Sequence, residues 1–485
     1  MSSSVDTQAI AAAVDRARAE GRTSWIARVL AGSVVDDVLA DPLRGFAAAG
    51  RDDRFFWEQV ETGDVALATG LADEIESAGV DRFADVRSWA ADVRARIDWV
   101  GADRAPASPT FFGGFGFEPE SRGGDDWKAF PAARFVLPSL VVSRIGGEAR
   151  AVLIARVESA STIESVGAAL DAAERSLEAL ATHVAESPSQ AVDLDGVWGG
   201  GPEYQVRSDR PHAVFCAQVE EALRAFDEGE LEKVVLARSL SVDHDGPIDV
   251  PHFMGRLREL YPSCTLVAMG RGDDTFLAAT PELLIRSCGA EVSTAALAGS
   301  APRGRHPDED RRLGEGLLAS AKERAEHGHV VEAIRDVLAE RTEALDVPET
   351  PVLRRLFGIQ HLETPIQGRL RAEHRDVVAL VEALHPTPAV GGVPARAARD
   401  WLRRVEGLDR GWYASPIGWL DLTGGGDFRV ALRSALIRNG TGDDGRNSRS
   451  LLFAGAGIVS GSVPEQELGE TRIKLRALLA PLTEI

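Results

Sequence analysis

The sequence predicts an α+β fold, and three observations carry that prediction. Stretches with strand character and stretches with helical periodicity are interspersed, without the regular strand–helix–strand alternation of a doubly wound sheet. The chain's 485 residues are 44% hydrophobic, ample for a large buried core. Nowhere do about 18 apolar residues run together, so no segment reads as a membrane span.

The elements follow in order. Residues 7–20 read as an amphipathic helix closed by Gly21. Arg54–Gln59 and Asp64–Gly70 read as paired strands, residues 82–98 as a helix, and Phe135–Val157 as a hairpin turning at IGGEA. A helix is expected over 162–185. The segment 186–210, rich in Gly, Pro, Ser and Asp, reads as a crossing loop between an N-terminal half (1–185) and a C-terminal half (211–485). Ser208 and Asp209 before Pro211 suggest a helix cap, and Val214, Phe215, Val219, Leu223 and Phe226 mark one face of the helix that follows. KVVLARSLSV, CTLVAMG and FLAATPELLIRS read as strands. Long helices are expected over 316–345 and 464–480.

With 75 acidic against 54 basic residues the net charge is −21, which disfavours nucleic acid and anionic lipid as partners. Three scattered cysteines supply neither a disulfide framework nor a thiolate zinc site, and MSSSVDTQAI has no export-signal pattern, so a cytoplasmic protein is expected. Lysine occurs only at Lys128, Lys233, Lys322 and Lys474. Where arginine serves almost everywhere else, a retained lysine is a candidate for work that needs a proton to leave.

Several places in the sequence can carry chemistry. In PEQELGETRIKL, Glu467, Glu470 and Lys474 share one helix face. That pattern fits a solvated face, and it equally fits two carboxylates offered to a hard cation such as magnesium. Glu323 and Glu326 lie one turn apart in SAKERAEH, and they gain meaning only if the two helices converge. Lys233 opens an apolar strand, where it either snorkels to water or, desolvated in a pocket, serves as a general base. Glu282, in ATPELL, is either a strand-edge charge or a carboxyl whose pKa apolar surroundings raise, making it a general acid. AGAGI (454–458) reads as a loop whose backbone N–H groups can cradle an anion, without the spacing of a nucleotide fingerprint. HPTPAVGGVP (385–394) reads as a constrained turn.

Taken together and in order, KVVLAR, ATPELL, ALAGSAPRG, SAKERAEH, QHLETPIQG, HPTPAVGG, GWYASPIGW, LRSALI and LFAGAGIV…ELGETRIKL resemble the chorismate-utilising enzymes, the anthranilate synthase component I-like family. The resemblance covers about residues 208–480, with weaker matches at FFWEQ and FFGGFGFE. It implies a large single α+β domain of two packed antiparallel sheets flanked by helices, and within the family it points to the isochorismate synthases. Lysine at position 233 implies water as the nucleophile, where the ammonia-using relatives have glutamine. PIQG resembles the PIKG of aminodeoxychorismate synthases, and Gln367 in place of lysine implies that their covalent route is closed. Ala389, where the pyruvate-eliminating relatives carry threonine, implies that the reaction stops at isochorismate. Ser415 and Pro416 depart from the glycines of many relatives.

The roles implied are these. Lys233 activates water for attack at C2 of chorismate, and Glu282 protonates the departing C4 hydroxyl. Glu326 and Glu470 hold Mg2+ directly, with Glu323 and Glu467 acting through water. Tyr413, Arg433, Lys474 and the Gly455–Ala456–Gly457 backbone hold the enolpyruvyl carboxylate and its surroundings, while Gly299, His361 and Ala389 line the ring. No amidotransferase subunit is expected, and the chain is expected to be a monomer or weak oligomer. The rivals are a salicylate synthase, which also eliminates pyruvate, and a catalytically silent regulatory subunit.

Overall fold

A computed structural model of the chain describes residues 4–101, 103–120, 124–186, 204–356, 358–441 and 447–483. Among these residues the strands form two sheets, one of 13 strands and one of 10. Pairing is antiparallel throughout except where Ser24–Leu30 runs parallel to Ile97–Val100. Each sheet draws strands from both sides of the 186–210 segment: Arg54–Gln59 pairs with Thr265–Arg271 in the larger sheet, and Phe111–Phe115 with Pro416–Leu420 in the smaller. Within 186–210, residues 187–203 lie outside the described residues, and Tyr204–Ser208 is an edge strand of the larger sheet.

The sheets face each other across an aromatic core. Phe55 of the larger sheet meets Phe112 of the smaller at 4.7 Å between centroids, and Trp57 meets Trp419 edge-on at 6.1 Å. Such pairs contribute about 0.5–1.5 kcal/mol each beyond the area they bury. A second apolar cluster fills the outer face of the larger sheet, beneath the helices Ser4–Glu20, Ser33–Ala40, Pro42–Ala48, Ile163–Glu186, Val250–Leu260 and Pro464–Thr483. No described helix is long and apolar enough to cross a membrane.

Most expected elements are present, and four differ. The stretch 316–345 is two helices, Pro307–Ala319 and Ala321–Ala339, followed by a strand from Thr342. Ser320 makes the break: its side chain accepts the Glu323 N–H and so caps the second helix. The hairpin is only Leu140–Ile145 with Glu148–Val157, because Ala133–Leu137 belongs to the other sheet. FLAATPELLIRS is likewise divided between sheets at Pro281–Glu282. Finally, Pro211 itself sits at the N-cap of His212–Asp227 with no side-chain cap; Ser208 Oγ instead accepts from Arg238. On that helix Phe215 and Val219 are buried, whereas Val214 is exposed.

Candidate active site

Two strands that change sheets define the site. Asp274–Thr280 lies in the larger sheet and Leu283–Cys288 in the smaller, with Pro281 and Glu282 between them. The chain crosses back between Gly426–Val430 and Ser434–Thr441, and Arg433 is the last residue of that crossing. The crossings are tied together: Thr280 Oγ1 donates to Val430 O at 2.6 Å, Val430 N–H donates to Glu282 O at 3.1 Å, and Ala279 N–H donates to Arg433 O at 3.1 Å. Arg433 adopts φ 46°, in the left-handed region that costs an L-residue about 1–2 kcal/mol. The one other described non-glycine residue with positive φ is Ala414, directly after Tyr413. Strain of this kind concentrates where side-chain placement matters for function.

Between the sheets' edges and two helices lies a cavity of about 490 Å³. Lys233 opens the strand Lys233–His244, flanked by Asn447–Val459 on one side and by Gly392–Val393 on the other. Its side chain is 1% exposed and its Nζ lies 2.9 Å from Glu326 Oε1. Glu326 and Glu323 come from the helix Ala321–Ala339, and Glu467, Glu470 and Lys474 from Pro464–Thr483. All of them line the cavity, so the two helices do converge. Lys474 Nζ lies 2.6 Å from Glu470 Oε1 and also donates to Gly455 O at 2.9 Å.

Glu323 is aimed by a β-bulge. The register of Glu291–Pro302 against Ile359–Leu370 shifts between Ala298 and Ser300, and Gly299 at the bulge has φ +76°. The Ser300 N–H therefore points at Glu323 and donates to its Oε2 at 2.9 Å, while Ser300 Oγ meets His361 Nδ1 at 2.9 Å. Across the cavity Gly457 leaves room for Glu326: a Cβ there would stand 2.7 Å from Glu326 Oε1.

Burial sets the protonation states. It pushes the Glu282 carboxyl up to about 8, against the opposing pull of Lys233 and Lys474, so the group is protonated at neutral pH. Burial lowers His361 to about 3, reinforced by Lys474 and Arg433, so this imidazole is neutral. Burial pushes the Tyr413 hydroxyl up, keeping it a donor, and its ring stacks on Phe453 at 5.3 Å. Glu323 and Glu467 are also raised, first by burial and then in part by the charges of Glu326 and Glu470. The four glutamates thus repel one another across shared space. Among the described residues, however, no three carboxylate, histidine or cysteine groups converge as a ready ligand set: Glu326 and Glu470 are turned to lysines instead.

Of the residues singled out in the sequence, the cavity is lined by Lys233, Glu282, Gly299, Glu323, Glu326, His361, Ala389, Tyr413, Arg433, Gly455, Gly457, Glu467, Glu470 and Lys474. Ala456 does not line it. AGAGI is part of the strand Asn447–Val459, in register with Val234–Arg238, and not a loop. Side chains alternate along a strand, so Gly455 and Gly457 face the cavity while Ala456 is packed in the core. Gln367 is also away from the cavity, exposed on Ile359–Leu370, so its identity cannot decide a covalent route.

Sequence reasoning assigned no role to Ser300, Lys322, Tyr261 or Arg476, all of which line the cavity. Lys322 was findable, since lysine scarcity singles it out as it does Lys233 and Lys474. Also missed was the buried pair beneath the site. Arg410 donates to Glu406 at 2.7 and 2.6 Å, to Val390 O at 2.9 Å and to Val235 O at 2.6 Å, and Glu406 accepts the Ala237 N–H. This pair fastens the Ala389 turn to the strand that carries Lys233.

A family model described as "Chorismate binding enzyme" matches residues 16–483. The chain belongs to that family, and it is an enzyme of it. It is 38% identical to the salicylate biosynthesis isochorismate synthase of Pseudomonas aeruginosa, covering 92% of this chain and 88% of that one. It is 33% identical to isochorismate synthase MenF of Bacillus subtilis, over 91% of each. Among solved structures, MenF, the menaquinone-specific isochorismate synthase from Escherichia coli, superposes with a TM-score of 0.71 at 27% identity, covering 98% of this chain and 99% of that one. Anthranilate synthase component I from Streptococcus pneumoniae shares the fold, with a TM-score of 0.65 at 22% identity, over 87% of this chain and 92% of that one.

Proposed function

We propose that this chain is a magnesium-dependent isochorismate synthase, which adds water at C2 of chorismate and releases the C4 hydroxyl. The observation that carries the reading is a buried lysine and a buried, protonated carboxyl facing one cavity, with four further glutamates from two helices around them. Lys233 takes the proton from water, and Glu282 gives its proton to the departing hydroxyl. A positioned base or acid contributes about 10²- to 10⁴-fold each. Tyr413, Arg433 and Lys474 hold the enolpyruvyl carboxylate.

The residues fit magnesium in donor chemistry. All four candidates are carboxylates, they crowd one another's charge, and two of them now rest against ammonium groups, which stand where positive charge is wanted. Glu326 and Glu470 would hold the ion, with Glu323 and Glu467 beside them. When bound, it supplies charge neutralisation for the ring carboxylate. Ala389, lining the ring pocket without a hydroxyl, supports a reaction that stops at isochorismate. The relatives' names divide between menaquinone, salicylate and 2,3-dihydroxybenzoate routes, and we place this chain's product at that branch.

The test is to incubate the purified protein with chorismate and magnesium and to resolve the products by chromatography. Isochorismate alone is expected, and a chelator should stop its formation. Salicylate with pyruvate would overturn the role given to Ala389. Folded protein with no turnover would overturn the whole reading.

A further inference from the structure

Arg433 reaches the cavity from a strained backbone at a sheet crossing, and a long side chain on such a bend needs something to fix its far end. The turn that follows the helix Val250–Leu260 provides it. The guanidinium carbon lies 4.8 Å from the centroid of the Tyr261 ring, and Arg433 Nη1 donates to Cys264 Sγ at 3.3 Å. Both partners come from one tight turn, closed by the Cys264 N–H donating to Tyr261 O at 2.9 Å.

That turn is itself rigidly held. The Tyr261 N–H donates to Leu257 O at 2.8 Å and caps the preceding helix, while its hydroxyl donates to Ala477 O at 3.1 Å, on the helix that carries Glu467, Glu470 and Lys474. Tyr261 and Cys264 are buried, and Tyr261 lines the same cavity. A flat aromatic face and a sulfur acceptor are suited to hold a guanidinium without neutralising it. A carboxylate in their place would compete with the substrate's own carboxylate for the same nitrogens.

We propose that Tyr261 and Cys264 form a neutral seat that pre-sets the Arg433 guanidinium for a carboxylate ligand, making both of them positioning residues for binding. The proposal rests on the reading of Arg433 as a carboxylate anchor for chorismate. The seat acts through Arg433, so its loss is felt in KM far more than in kcat. Burial raises the pKa of both the Tyr261 hydroxyl and the Cys264 thiol, so the seat stays uncharged at neutral pH.

The experiment compares Tyr261→Leu, Tyr261→Phe, Cys264→Val and Cys264→Ser, in the wild-type background and with Arg433→Ala. Tyr261→Leu should raise KM for chorismate about 3- to 30-fold, the range of a partly desolvated cation–ring contact. Tyr261→Phe, which keeps the ring, should recover most of that loss, and Cys264→Ser should recover what Cys264→Val loses. In the Arg433→Ala background Tyr261→Leu should add nothing further, whereas a merely structural role would add its full effect. A second readout needs no substrate: the rate at which phenylglyoxal modifies Arg433, mapped by mass spectrometry, should rise severalfold in Tyr261→Leu. Unchanged KM and unchanged modification, or additive effects in the double variant, would overturn the seat. Absence of chorismate turnover in the wild type would instead overturn the proposed reaction, while the modification rate would still decide whether the seat exists.

Discussion

Gly457→Ala tests the geometry at the centre of the cavity with a single methyl group. The added Cβ would stand 2.7 Å from Glu326 Oε1 and 3.5 Å from Lys233 Cε. Ordinary contact begins near 3.4 Å, so the carboxylate must withdraw by about 0.7 Å, while the lysine stem can stay where it is. The yielding atom is the far end of a flexible side chain, so the backbone has no reason to move. Alanine in an extended strand also gains about 0.4–1 kcal/mol by restricting the unfolded chain. Melting temperature should therefore hold or rise slightly. Turnover should not hold: the 2.9 Å contact between Lys233 and Glu326 must lengthen, and a displacement approaching 1 Å at a catalytic constellation costs about 10²-fold in rate. The assay is steady-state formation of isochorismate at saturating chorismate, beside a thermal melt. Wild-type kcat with an unchanged melt would refute the claim that Glu326 must stand where it does.

Two further outcomes are expected. In the proposed reaction Glu282 acts as an acid, so its protonated form is the active one. With a pKa of about 8, the fraction of enzyme holding this proton should fall about tenfold per unit above that pH, set against the opposite demand of Lys233, which must be unprotonated to act. Glu282→Gln should abolish turnover while leaving the fold intact, and near-wild-type activity in this variant would sink the assignment. Glu406→Gln leaves Arg410 charged, buried and without its carboxylate, which should cost about 3–5 kcal/mol in urea unfolding; a loss below about 1 kcal/mol would show that the pair does not hold the turn to the strand.

Much of this was legible in the sequence, and the misses share a physical cause. The helices Ser4–Glu20, Arg82–Arg96 and Ile163–Glu186 were visible because each keeps one periodicity and one buried face, and the strands Arg54–Gln59 and Asp64–Thr69, buried on both faces, were visible as short apolar runs. FLAATPELLIRS and the start of the 135–157 segment were misread because apolar runs stand on both sides of a change of sheet that is marked only by Pro281–Glu282 and Pro138–Ser139. The break at Ser320 was hidden because neither glycine nor proline marks it between Gly316 and Gly328. AGAGI looked like a loop because its residues are small, yet they are small so that Tyr413 and Glu326 can lie against a strand. For the site, ionisable residues in unusual company were found. Residues that act only by contact, Ser300, Tyr261 and Cys264, gave no signal, since nothing in sequence spacing reveals which distant side chain a hydroxyl or a ring will meet.

The sheet crossings constrain how this chain can change length. A hairpin tip such as Gly146–Gly147 or Gly289 is free to gain a residue, because the strands on either side keep their partners. Between Thr280 and Leu283 an added residue would reverse the facing of every side chain beyond it, taking Leu284 out of the core or forcing a second bulge. The same holds between Val430 and Ser434. Because the two crossings are bonded to each other, a shift in one cannot be absorbed without the other. Length is therefore free to change at the rims of both sheets, whereas the spacing through Glu282 and Arg433 is a fixed count.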